Sequence, residues 1–66
     1  MEFEPILNSD SGAHYTDKRL FLEEIPKPGD YLKLDFFTGA EMEDLRVTEV
    51  VTELHQVYLE REILGL

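Results

Sequence analysis

Residues 45–64, LRVTEVVTELHQVYLEREIL, decide what kind of fold this chain makes. Read with a period of 3.6, Val47, Val50, Val51, Leu54, Val57 and Tyr58 form one stripe of a helix. Thr38 and Glu41 could supply a capping box ahead of it, giving a helix over residues 41–64. Read as a pleat, Leu45 and Val47 point inward and a bulge near Glu49–Val50 switches the phase. Thr52 and Leu54 then continue the strand. His55–Gln56 makes a tight connection, and Val57, Leu59 and Ile63 form the inner face of a last strand. The strand reading accounts for more residues. VTEVVT is β-branched at most positions, which disfavours a helix and suits a pleated surface. A helix would also leave Leu45, Leu59 and Ile63 on its wet side. The alternative, an α+β fold with a C-terminal helix, stays open at this level.

Upstream, EEIPKPGDYLKL (residues 23–34) holds the second fold signal. Pro26 and Pro28 cannot sit in a central strand, and each pushes its preceding residue to extended geometry. Gly29 can take a positive φ where the chain turns, and Asp30 can accept hydrogen bonds from nearby backbone amides. A corner between paired strands is expected. After it, YLKLDFF alternates: Leu32, Leu34 and Phe36 face one way, and Tyr31, Lys33, Asp35 and Phe37 the other. Before it, Leu20–Ile25 reads as a strand with two apolar faces. Either Leu20 and Leu22 point inward with Glu24, or Phe21 and Ile25 do with Glu23. FEPIL (residues 3–7) reads as a short edge strand, because Pro5 lacks a ladder donor. NSDSGAH (residues 8–14) reads as a polar loop or turn. Together these segments predict a mainly β domain, a small five-stranded antiparallel barrel or strongly bent sheet. Its core should be Leu22, Leu32, Leu34, Phe36, Val47, Leu54, Val57 and Leu59.

PKPGDYLKLDFFTG followed by LRVTEVV resembles the opening of small barrels of the KOW and Tudor type. In these, a Gly-Asp-x-apolar-x-apolar strand precedes a turn and a Val-x-x-Val strand. The same stretch is similar to small bacterial and phage proteins with a Pro-x-x-Gly-Asp-x-apolar pattern. The resemblance covers about residues 20–60 and implies a five-stranded barrel. Members that hold RNA or DNA are basic, and this chain departs from them in charge.

Length and charge bound the function. Sixty-six residues form one domain. A chain of this size buries about 60 % of its unfolded surface and is stable by only about 3–5 kcal/mol. There is no cysteine to staple it. Fifteen acids oppose six bases, a net charge of -9. Direct binding to a phosphate backbone needs a basic patch, and an anionic membrane surface is disfavoured on the same ground. No apolar run approaches the roughly 18–20 residues of a spanning helix. MEFEPIL carries acids where an export signal needs bases, so a cytoplasmic location is expected.

No catalytic, cofactor-binding or metal-ligating residue is assigned. The glycines are scattered, without a phosphate loop. Ser9, Ser11, His14 and Asp17 are close in sequence, yet a triad is made by oriented geometry, and a satisfied polar loop is the simpler reading. His14 and His55 lack ligand spacing, and NSDSG lacks the closing glutamate of a calcium loop. The many carboxylates read as solvated acids, and so small a barrel has little room for a substrate cleft. No enzymatic activity is expected.

The surface carries the functional expectation. Residues 35–66 hold eight acids against two bases, and residues 1–34 seven against four. Tyr31, Phe37 and Tyr58 fall where water is expected. They are either further core or part of an apolar patch rimmed by acids. The expected role is a non-catalytic binding or assembly protein that contacts other proteins through an exposed edge strand or such a face. Tyr31, Phe37, Glu41, Glu43, Asp44, Glu49, Glu53, Tyr58, Glu60 and Glu62 are the candidate contact residues. Self-association through an edge strand is compatible with it. The alternative is an acidic nucleic-acid mimic of the phage anti-defence type, occupying the basic groove of a nucleic-acid-binding enzyme. If residues 45–64 form a hairpin, Glu49 and Glu53 should approach Glu60 and Glu62 across it, making a self-repelling cluster.

Overall fold

The computed structural model describes residues 1–37 and 41–61, and strand dominates them. The elements in chain order are β1 (Glu2–Ser9), β2 (Gly12–Tyr15), β3 (Leu20–Phe21), β4 (Tyr31–Leu34), β5 (Glu43–Val51) and β6 (Gln56–Arg61), with one 3-10 turn at Thr52–Leu54. The proposed cap at Thr38 and the inward Ile63 lie outside the described residues. From Glu43 to Arg61 the chain is a hairpin rather than a helix, so the β-branched run prevails over the helical stripe.

The six strands form one sheet in the order β2-β1-β6-β5-β4, with β3 also paired to β1. The mainly β expectation holds, with three differences of detail. Among the described residues there are six strands, the β1–β6 pair is parallel, and no pairing joins β4 to β2 or β3, so the described sheet does not close.

The first segment departs furthest from expectation. β1 is not an edge strand. It pairs with β3 and then β2 along one side and with β6 along the other. Pro5 is tolerated there because its nitrogen faces a gap. The Glu4 amide donates to the His55 carbonyl on the β6 side at 2.7 Å, so the next residue turns its backbone the other way. On that side the pairs with β3 end at Phe3 and those with β2 begin at Ile6. No ladder donor is needed at residue 5. The expected polar loop is itself a hairpin: Asn8 and Ser9 end β1, Asp10–Ser11 make the turn, and Gly12–Tyr15 return as β2.

The main core cluster is Phe3, Leu7, Leu20, Leu34, Leu45, Val47, Val57 and Leu59, with Leu22, Leu32, Phe36, Phe37 and Val50 packed against it, and Ile6 is also fully buried. Each fully buried aliphatic side chain contributes roughly 1.5–3 kcal/mol relative to exposure. Leu54 is a correction. It is 66 % exposed, because Thr52–Leu54 form the 3-10 turn and do not extend β5. The reversal is completed by His55 in the left-handed region at φ 52, which throws Leu54 to the outer corner. The expected bulge is present and lies slightly earlier, between Val47 and Glu49. Thr48 is the extra residue, and its hydroxyl donates to the Tyr58 carbonyl at 3.2 Å. The bulge switches the phase as anticipated, from Leu45 and Val47 before it to Val50 after it.

The Pro26–Asp30 corner is a tight turn. The Asp30 amide donates to the Lys27 carbonyl at 3.0 Å, with Pro28 second and Gly29 third at φ 97. That is the residue order of a type II turn. The Asp30 carboxylate accepts from the Lys27 amide at 2.9 Å. The corner does not join two mutually paired strands, since β3 pairs with β1 and β4 with β5. It docks on β5 instead: Gly29 donates to the Val47 carbonyl, and Val47 to the Asp30 carbonyl, both at 2.8 Å. Gly29→Val should destabilise the fold by about 1 kcal/mol or more, from backbone strain alone, because a Cβ there meets nothing within 4 Å. Urea denaturation checks this; an unchanged midpoint would remove the strain argument.

Candidate protein-contact surface

The pleat decides which side of residues 20–25 faces water. Leu20 lies in register with Phe3 and is buried with it. Phe21 is therefore turned outward and is 75 % exposed, and Ile25 is 47 % exposed. This is the first of the two facings left open by the sequence. Leu22 and Leu32 are half-buried and Pro26 is buried. These apolar residues line a groove of about 390 Å³ together with Glu23, Glu24 and Asp30. Leu22 follows β3 and Leu32 belongs to β4, so the two ends of the sheet meet across the groove. It is the gap where a barrel would close.

Leu7, His14, Tyr15, Thr16, Phe36, Phe37 and Arg61 line a second hollow of about 350 Å³. There Phe36 and Phe37 pack against the core, and the Lys18 ammonium sits 5.9 Å from the Phe36 ring centroid. Phe37, a candidate contact residue, is thus half-buried.

No family model, curated protein or solved structure matches this chain.

The acids differ by location. On β4, β5 and β6 they are interleaved with bases. Arg46 is in register with Glu60 and ion-paired to it. Arg61 Nε donates to Glu43 at 2.5 Å, and Lys33 lies 4.0 Å from Asp44. The expected cluster is not assembled among the described residues. Glu49 is opposite Tyr58 rather than an acid, Glu53 lies in the 3-10 turn, and Glu62 is outside the described residues. Glu41 and Glu53 are exposed. Tyr31 begins β4 at 50 % exposure, and Tyr58 is half-buried with its hydroxyl toward Gln56 at 3.5 Å. Glu23 and Glu24 at the groove are exposed and, like Glu49 and Glu53, have no ion-pair partner among the described residues.

Sequence reasoning did not single out Phe21, Ile25, Glu23 and Glu24. The available signal was the two-sided apolar pattern of Leu20–Ile25, since a strand with two apolar faces at a sheet end must expose one.

At the β1–β2 turn, Ser9 and Ser11 hydroxyls lie 2.9 and 3.0 Å from His14 Nε2. Ser9 also receives the Ser11 amide at 3.3 Å. All three residues are exposed, and among the described residues no carboxylate holds the imidazole. The cluster closes a hairpin turn and lacks the orienting acid that nucleophile activation needs. Among the described residues, Asn8, Ser9, Asp10, Ser11, Glu60 and Arg61 line a hollow of about 580 Å³ beside it. Among the described residues no helix is long and apolar enough to cross a membrane.

Proposed function

We propose that this chain is a non-catalytic, cytoplasmic binding module that holds a basic protein through its acid-rimmed apolar groove. The observation that carries the reading is the pairing of Phe21, 75 % exposed, and Ile25, 47 % exposed, with two glutamates that have no ion-pair partner among the described residues. An exposed aromatic in a groove is the usual anchor of a protein contact, and a rim of one charge sign selects the partner. The net charge of -9 adds a long-range field of the same sign. A nucleic-acid mimic draws less support, because such a mimic needs runs of uncompensated carboxylates. On β4–β6, Asp44, Glu60 and Glu43 face Lys33, Arg46 and Arg61, and Glu49 faces Tyr58.

The test is comparative capture from a cell lysate at low salt, with the unaltered chain and with Phe21→Ser, Ile25→Ser on the matrix. Circular dichroism confirms that both are folded. A basic protein retained by the first and lost from the second is the expected result. Identical captured sets would dispose of the groove as the contact surface.

A further inference from the structure

The groove has a backbone wall as well as an apolar floor. The Leu22 amide donates to the Met1 carbonyl at 2.8 Å, and the Met1 nitrogen donates back to the Leu22 carbonyl. In an antiparallel ladder such a doubly bonded pair alternates with a pair that exchanges no bonds. Glu2 and Phe21 are that next pair. The alternation is confirmed from the other side, since the Glu2 carbonyl is 3.1 Å from His55 Nδ1, away from β3. The amide and carbonyl of Phe21 therefore point away from β1. β3 pairs only with β1 among the described strands, so these groups face the groove edge.

We infer that the groove accepts an extended basic segment of the partner as an added strand beside β3, in the gap between β3 and β4. The inference rests on the protein-binding role proposed above. A residue of the incoming strand bonded to Phe21 shares its outward face, and its neighbours point inward, onto Leu22 and Leu32. The inward positions therefore want apolar side chains. The outward positions want Lys or Arg, whose stems lie on the Phe21 ring and whose charges meet Glu23 and Glu24. The recognised segment alternates apolar and basic residues. No Lys or Arg is among the groove's lining residues. A second copy of this chain is a poor occupant, because each copy carries a net charge of -9.

The probe is a synthetic peptide of about seven residues alternating Val and Lys, a length that spans roughly 20 Å when extended. It is titrated into the isotope-labelled full chain, with amide exchange followed by NMR. The peptide should shift and protect the Phe21 amide. Two N-methylated versions, blocking alternate sets of peptide amides, should differ. The set facing β3 should weaken binding about tenfold or more, and the other should be tolerated. No binding, unchanged exchange at Phe21, or equal tolerance of both methylated sets would overturn strand addition. So would protection of Phe21 in the chain alone as its concentration rises, which indicates copy-to-copy pairing. If strand addition fails while Phe21→Ser, Ile25→Ser still loses the captured protein, side chains alone hold the partner and the binding role stands. If that double variant keeps its captured protein, the binding role itself fails, whatever the peptide does.

Discussion

Phe3→Ala should leave most of the chain unfolded at room temperature, whereas Phe21→Ala should leave it folded. The two residues are separated by one step of the pleat. Phe3 is 2 % exposed, lies in register with Leu20 and has its ring centroid 5.8 Å from that of His55. Truncating a buried phenylalanine costs about 3–5 kcal/mol. A domain this small has about 3–5 kcal/mol in all, so the loss removes most of the margin. The position amplifies the loss, because Phe3 sits on β1, which three other strands use as a partner. Phe21 is 75 % exposed, and its truncation should change stability by no more than about 0.5 kcal/mol. Urea denaturation of both variants decides it. A folded Phe3→Ala, or an unfolded Phe21→Ala, would mean that the inner and outer faces of β1 and β3 have been exchanged.

What the sequence made legible was local. The β5–β6 hairpin could be read because β-branching acts residue by residue, and Val47, Val57 and Leu59 fall in the core as the pleat requires. The Pro-Gly-Asp corner could be read because Gly29 and Asp30 act on their immediate neighbours. What was hidden depends on contacts distant in sequence. Pro5 argues for an edge only if ladder donors are needed on both sides, and the gap between β3 and β2 is a property of the assembled sheet. β2 buries none of its side chains, so Gly12–Tyr15 has no apolar pattern to detect. Leu54 alternates like a strand residue, yet the chain must reverse somewhere before Val57 can pair with Val50. The charge pattern shows the same limit. Glu60 looks like one of a run of acids until the register puts Arg46 opposite it. That Glu23 and Glu24 border an apolar groove likewise depends on where β3 and β4 lie in the assembled sheet.

Reversing those two acids gives the second large effect, and it separates steering from anchoring. Glu23→Lys with Glu24→Lys raises the charge of the chain by four units beside the groove, on residues that are exposed and pair with no base among the described residues. Surface substitutions of this kind should leave stability within about 0.5 kcal/mol. Association with the Val–Lys peptide should instead slow by about tenfold or more at low salt, since charge complementarity acts chiefly on the on-rate. At an ionic strength near 0.15 M the Debye length shrinks to about 8 Å, and the difference between unaltered and reversed chains should narrow. Phe21→Ser should behave in the opposite way. It removes the anchor that holds the bound peptide, so dissociation quickens while the salt dependence of association is kept. Stopped-flow association and dissociation of the peptide with the unaltered chain and both variants, at two salt concentrations, measures these rates. An on-rate for the reversed chain equal to that of the unaltered one at low salt would show that Glu23 and Glu24 serve solubility alone. The specificity of the groove would then have to come from Phe21, Ile25 and the β3 edge without electrostatic help.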